Sequence, residues 1–218
     1  MKPTTAILID GGFFLKRYKY LYKNGEGHSA KQIAQSICNA AMKHVSKNHS
    51  LYRVFYYDCL PFDKFVHNPI SHKPITFSKT PVFKLRIELF EELKKKRKFA
   101  LRLGRIKDTG YWQIYPSRLK ELLSGKIKLH ELIEDDVFYE MRQKGIDMKI
   151  GVDIASLALK KLVNQIVLIS GDEDFVPASK LARREGIDFI LDPLWNPIDP
   201  NLFEHIDGLN STSPRPEE

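Results

Sequence analysis

The sequence predicts a three-layer α/β/α sandwich on a mostly parallel central sheet. Short apolar runs rich in β-branched residues stand near both ends of the chain, and amphipathic helical periodicity fills the intervals between them. Acidic or glycine residues close the runs where a strand would turn into a helix. With 218 residues, 25.3 kDa and 43% hydrophobic content, the chain can bury a sizeable core.

Taken in order, Thr5-Ala6-Ile7-Leu8-Ile9 is a buried strand closed by Asp10-Gly11-Gly12. Ser29 caps a helix whose apolar face carries Ile33, Ile37, Ala40, Ala41 and Val45. Tyr52-Arg53-Val54-Phe55-Tyr56-Tyr57 is the next strand, which makes a β-α-β unit with parallel pairing and a right-handed crossover. Residues 61–81, rich in Pro, Ser, His and Lys, read as a loop or mobile insertion. Residues 82–98 are helical and 99–105 alternate apolar with basic, as a half-buried strand does. Tyr111-Trp112-Gln113-Ile114-Tyr115 is its expected hairpin partner across Asp108-Thr109-Gly110, and residues 116–123 form a short helix.

In the C-terminal third, Ile150, Ile154, Leu157, Ala158 and Leu162 share one helical face. Residues 166–169 are a buried strand, 175–185 a helix ended by Gly186, and 187–191 a last strand. Residues 210–218 have almost nothing to bury and are expected to be disordered. The expected organisation is therefore one domain over 1–209, carrying an inserted basic helix and β-hairpin across about 60–145.

The formal charge of +8 is local. Between Lys79 and Lys107 stand eleven Lys and Arg against three acids, while the rest of the chain is balanced. Such a field attracts polyanions, and Lys94, Lys95, Lys96, Arg97, Lys98, Arg102 and Arg105 are the expected backbone-binding group for nucleic acid; a solvated helix face beside a basic strand is the plainer reading. Phe99, Tyr111, Trp112 and Tyr115 nearby suit base stacking or ordinary sheet packing. Cys38 and Cys59 lie in unrelated apolar contexts with no CxxC or Cys/His cluster, so neither a disulfide framework nor a structural zinc site is suggested. No window reaches the roughly 18 uncharged apolar residues of a membrane span, and the first residues run straight into a strand, so a soluble cytoplasmic protein is expected.

Ligands of open parallel sheets sit beyond the carboxyl ends of the strands, and here those ends are acidic. Asp10 follows the first strand, and Ser170-Gly171-Asp172-Glu173-Asp174 follows the strand at 166–169. Asp153 and Asp147 precede that strand on a helix; capping and dipole effects are the alternative reading for both, as N-capping is for Asp172 and a glycine turn for Asp10. Carboxylates packed together raise one another's pKa and call for a cation. Oxygen donors with no His or Cys favour Mg²⁺ or Mn²⁺ over zinc. A metal of this kind activates water for phosphodiester hydrolysis, so an acidic site beside a basic segment fits a nuclease, with Ser170 orienting a phosphate or serving as a turn hydroxyl.

Three blocks in order and spacing resemble the NYN domain family, in particular its bacterial LabA-like branch. They are Ile7-Leu8-Ile9-Asp10-Gly11-Gly12-Phe13, Lys144-Gly145-Ile146-Asp147 through Gly151-Val152-Asp153-Ile154-Ala155, and Ile169-Ser170-Gly171-Asp172-Glu173-Asp174-Phe175-Val176-Pro177; with Ala182 to Ile187 and His205-Ile206-Asp207 the likeness spans most of residues 5–209. Gly12 and Phe13 stand where the family often has Asn. The resemblance implies a PIN-like, Rossmann-like fold and a Mg²⁺- or Mn²⁺-dependent endoribonuclease acting on single-stranded or structured RNA. Asp10, Asp153, Asp172 and Asp174 would be its catalytic metal ligands, joined by Asp147. The rivals are a non-catalytic RNA-binding protein on the same fold, which predicts salt-sensitive binding without hydrolysis, and a DNA nuclease or phosphatase at the same site. A nucleotide-binding switch has no support in the sequence, because the chain has no GxGxxG or GxxxxGK loop.

Overall fold

A computed structural model describes residues 2–216. Its central sheet has seven strands in the order β6-β5-β2-β1-β7-β8-β9. These are β1 (Thr4–Asp10), β2 (Ser50–Cys59), β5 (Phe99–Ile114), β6 (Val137–Lys144), β7 (Gln165–Ile169), β8 (Asp188–Asp192) and β9 (Gly208–Leu209). All neighbours pair in parallel except β6, which runs antiparallel on the outer edge of β5. A small antiparallel pair, β3 (Phe65–His67) with β4 (Pro74–Thr76), lies apart from it.

The alternation of side chains along the buried strands divides the core into two halves. Ile7 and Ile9 of β1 and Val54 and Tyr56 of β2 face one way, against α1 (Gly11–Leu21), α2 (Ala30–Lys43) and α3 (Pro81–Lys94). Ala6 and Leu8, with Phe55 and Tyr57, face the other way, against α5 (Ile146–Leu159) and α6 (Val176–Arg184). This is the expected three-layer sandwich. Ser29 caps α2 as expected, its hydroxyl accepting from Gln32 N–H while the Gln32 side chain returns to Ser29 N–H. Gly186, at φ +79°, ends α6 in the left-handed region that a side chain would resist.

Two expectations are corrected. The hairpin across Asp108-Thr109-Gly110 does not form; residues 99–114 are one strand, and its antiparallel partner is β6, reached through α4 (Pro116–Leu123). The cause is the unperiodic 126–140 stretch, whose end alternates Val137, Tyr139 and Met141 and matches β5 in register. The stretch about 60–145, read as an inserted basic helix and β-hairpin, contributes β5 to the main sheet, where Phe99–Gly104 pair with Val54–Cys59.

The C-terminal segment up to residue 216 is not disordered. Thr212 Oγ1 donates to Ala40 O at 2.9 Å, Trp195 Nε1 donates to Ser213 O at 3.0 Å, and Ser213 is buried. Backbone and hydroxyl groups make these contacts, which is why a hydrophobic count missed them; residues 217 and 218 lie outside the described residues. Cys59 is buried and Cys38 partly so. No helix among the described residues is long and apolar enough to cross a membrane.

Candidate acidic cleft and its surroundings

The chain changes direction between β1 and β7. β1 continues through α1 and α2 to β2 on one side, whereas β7 continues through α6 to β8 on the other. Such a switch point leaves a crevice beyond the strand ends. Here it is a cleft of about 610 Å³ lined by Asp10, Asp147, Ser170 and Asp172, with Lys16, Gln143 and Asp199.

Each carboxylate is placed by a local rule. Asp10 ends β1 and caps α1, its Oδ1 accepting Phe13 N–H at 2.9 Å. Burial raises its pKa from 3.8 to about 6, opposed by the Phe13 N–H and assisted by the charges of Asp147 and Asp58. Asp147 stands in the first turn of α5, where burial and then Asp172 and Asp174 raise its carboxyl. Asp172 caps the turn after β7 by accepting Asp174 N–H at 3.0 Å, and its own N–H donates to Ser170 Oγ at 3.4 Å. Gly171 lets this turn approach the β1–α1 turn, because a Cβ there would stand 2.9 Å from the Phe13 ring.

The donor set consists of oxygens only, which suits Mg²⁺ or Mn²⁺. Among the described residues no three His, Cys, Asp or Glu close on a single ion position. A divalent ion here would take one or two carboxylates and fill its shell with water and phosphate, the usual habit of Mg²⁺. On that chemistry the residues fit the group.

The model of the NYN domain family matches residues 91–193. This supports a place in the NYN family. NYN domains are PIN-like and generally nucleases. The matched stretch contains Asp147, Asp153, Asp172 and Asp174, and the cleft adds Asp10 from outside it. A solved structure of a protein of unknown function from Vibrio parahaemolyticus is 14% identical; the match covers 97% of this chain and 94% of that one, with a TM-score of 0.50. At that identity the likeness shows the fold alone. No curated protein matches the chain.

Against the NYN match, the structure separates the predicted residues. Asp10, Asp147 and Asp172 line one cleft, with Asp174 close enough for its charge to act on Asp147. Asp153 does not join them. Tyr57 Oη donates to it at 2.7 Å and Arg102 Nε at 3.0 Å, and burial followed by the Asp153 hydrogen bond holds the Tyr57 hydroxyl well above its ordinary range. The reason is helical: six residues separate Asp147 from Asp153, about 120° around α5 and roughly 9 Å along it, so only one can face the cleft.

The basic group is also divided. Residues 94–98 follow the last turns of α3 and precede β5, at the N-terminal end of the parallel strands and away from the cleft. There Lys94 pairs with Glu91, Lys95 with Glu92, Lys96 donates to Gln35, and Lys98 donates to Leu51 O. Arg102 is engaged with Asp153. Arg105 lies past the last β2–β5 pair, toward the cleft end.

Sequence reasoning missed Asp58, Lys16 and Gln143. Asp58 follows the β2 apolar run as Asp10 follows β1, so the strand-end rule could have found it; it is buried and pairs with Arg86 of α3. Lys16 and Gln143 carry no signal in spacing and reach the cleft only through the fold.

Proposed function

We propose that the protein is a Mg²⁺- or Mn²⁺-dependent endoribonuclease of the LabA-like branch, acting in the cytoplasm on single-stranded or structured RNA. The observation that carries this reading is the convergence of Asp10, Asp147 and Asp172 from three separate segments on one cleft at the sheet's switch point. With Asp174, these are the residues that would hold the metal, which when bound lowers the pKa of its water and offsets charge on the phosphate. Asp153 is left out of the set and serves as a positioning residue for Tyr57 and Arg102.

The chain's own residues account for binding and orientation. Lys16, one turn into α1, places an ammonium in an otherwise acidic cleft and attracts the phosphodiester. Phe13 N–H fixes Asp10 Oδ1, so this carboxylate enters the reaction already oriented. The Gln143 amide, on the β6 wall, can donate to a phosphate or sugar oxygen. Ser170 keeps the turn in shape by accepting Asp172 N–H.

The test is incubation with labelled mixed-sequence single-stranded RNA in Mn²⁺, Mg²⁺ or EDTA, alongside Asp147→Asn and Asp172→Asn. Fragments that need the metal and vanish in both variants are expected. Salt-sensitive binding with no fragments under either metal would overturn the reading in favour of a non-catalytic RNA-binding protein.

A further inference from the structure

Beside the acidic cleft lies a second cavity of about 300 Å³, and the Gln143 side chain lines both. Its walls come from the segment after β2 and from α3, through Phe62, Phe77 and Phe83, and from the β5–β6 ribbon, through Ile106 and Met141. The rings are braced. Phe62 and Phe77 meet edge to face at 5.1 Å, Tyr139 stacks behind Phe62 at 5.6 Å, and Trp112 meets Tyr139 edge-on at 5.4 Å. Register explains why the ribbon offers this face: Ile106 sits opposite Gln143, Asp108 opposite Met141 and Trp112 opposite Tyr139, so Ile106, Met141, Trp112 and Tyr139 share one side of the ribbon with the polar Gln143 and Asp108.

Polar groups stand at defined points of this otherwise apolar space. Arg86 gives one N–H to the buried Asp58 carboxylate, which in turn accepts Cys59 N–H at 2.8 Å, so the guanidinium is held in place with its side chain 24% exposed. Gln143 supplies a donor and an acceptor on the side of the acidic cleft. Flat apolar walls, edge-directed hydrogen-bonding groups and direct continuity with a phosphate-cleaving cleft suit one chemistry: a planar heteroaromatic ring with polar edges, attached to a phosphate. We infer that this cavity is a nucleobase pocket that receives the base flanking the cleaved phosphodiester and gives the enzyme a base preference at the cut. The inference rests on the nuclease reading for its role in cleavage, and on the cavity alone for base binding.

Two measurements separate those parts. The first is calorimetric titration of the whole protein in EDTA with AMP, GMP, CMP and UMP, with ribose 5-phosphate as the control lacking a base. At least one nucleotide is expected to bind about tenfold tighter than ribose 5-phosphate, as one stacked base contributes. Phe62→Ala, which removes a wall, and Met141→Trp, which closes the cavity from an exposed strand position, should each erase the difference; having two variants guards against one that fails to fold. Equal binding of all five compounds, or a base preference that survives in both folded variants, would overturn the pocket.

The second is sequencing of the ends produced from mixed-sequence RNA in Mn²⁺. A base bias at the cut that flattens in the variants supports the inference, and an identical distribution overturns it while leaving the nuclease intact. Nucleotide binding through Phe62 with no RNA cleavage under any metal would keep the pocket and discard the nuclease. Absence of both would discard the two together.

Discussion

The Asp10 carboxylate lies where burial works against its charge. Its pKa rises from 3.8 to about 6 in the fold, so between those values the folded chain holds a proton that the unfolded chain has released. Stability contributed by this group therefore falls as pH rises from about 4 to 6, and above that window the buried charge costs roughly 3 kcal/mol. Asp10→Asn keeps an oxygen for the Phe13 N–H and removes the charge. In EDTA, urea unfolding of that variant should show higher stability than wild type at pH 7.5 and a smaller drop between pH 4 and 6; an unchanged pH profile would sink the assignment. Asp153 is bound to act differently. Asp153→Ala strands the Tyr57 hydroxyl and leaves Arg102 without its carboxylate, at a cost of about 1–3 kcal/mol that a Tm measurement reads, with no requirement that metal binding change. The chemical character of both residues was legible in the sequence, Asp10 as the acid closing the first strand and Asp153 as an acid on the helix before the strand at 166–169. What spacing in a motif could not supply was direction, because 147 and 153 look equivalent until a helix turns them apart.

At the scale of elements, the strands and helices of the two β-α-β ends were legible because each has a single clear period, as in β1, α2, β7 and α6. The middle was not. In β5 the first half alternates as a strand buried in the main sheet, whereas the second half, past Gly104, pairs only with β6. A partner some thirty residues away leaves no local trace, and the nearer turn signal at Asp108-Thr109-Gly110 suggested a hairpin that does not close. The same pairing assembles a second basic cluster, on the ribbon. Arg105 sits opposite Lys144 and Lys107 opposite Arg142, so four cations share the ribbon face turned away from Ile106 and Met141, with Glu140 offsetting Arg142. Residues 94–98, by contrast, lie at the far end of the sheet, where Lys94 and Lys95 are paired with Glu91 and Glu92 and Lys96 and Lys98 donate to neutral oxygens. Replacing Arg105, Lys107, Arg142 and Lys144 by Gln should lower the salt dependence of RNA binding by about 0.7 in the log–log slope for each phosphate that is no longer neutralised. The same change at Lys94, Lys95, Lys96, Arg97 and Lys98 should leave that slope nearly untouched. The opposite ranking, measured by fluorescence anisotropy across a salt series, would assign the binding role to residues 94–98.

For the whole molecule, the C-terminal segment ties the last strands back to the first helices. His44 Nε2 of the α2 end meets the buried Asp192 carboxylate at 2.8 Å, and neither side chain is more than 1% exposed. Thr212 covers this pair: its Oγ1 lies 3.2 Å from His44 Nε2 and donates to Ala40 O, and its N–H donates to Asp192 Oδ2 at 3.3 Å. Trp195 Nε1 completes the closure on Ser213 O. A polar segment with no apolar residue after Leu209 can thus be ordered, because a buried hydrogen-bonded polar pair needs its remaining hydrogen-bonding positions filled. Truncation after residue 209 removes the Thr212 and Ser213 hydrogen bonds and opens the His44–Asp192 pair to solvent. The five hydrogen bonds from Asn210 N–H to Leu191 O, Trp195 N–H to Ser211 Oγ, Thr212 N–H to Asp192, Thr212 Oγ1 to Ala40 O and Trp195 Nε1 to Ser213 O, at about 0.5–1.5 kcal/mol each, set the scale, so a loss of several kcal/mol is expected in denaturant unfolding. The double variant Thr212→Ala, Ser211→Ala should reproduce only part of that loss, since it leaves the Ser213 carbonyl in place to accept Trp195 Nε1. A truncated chain with wild-type stability would mean that the segment rests on the domain without supporting it.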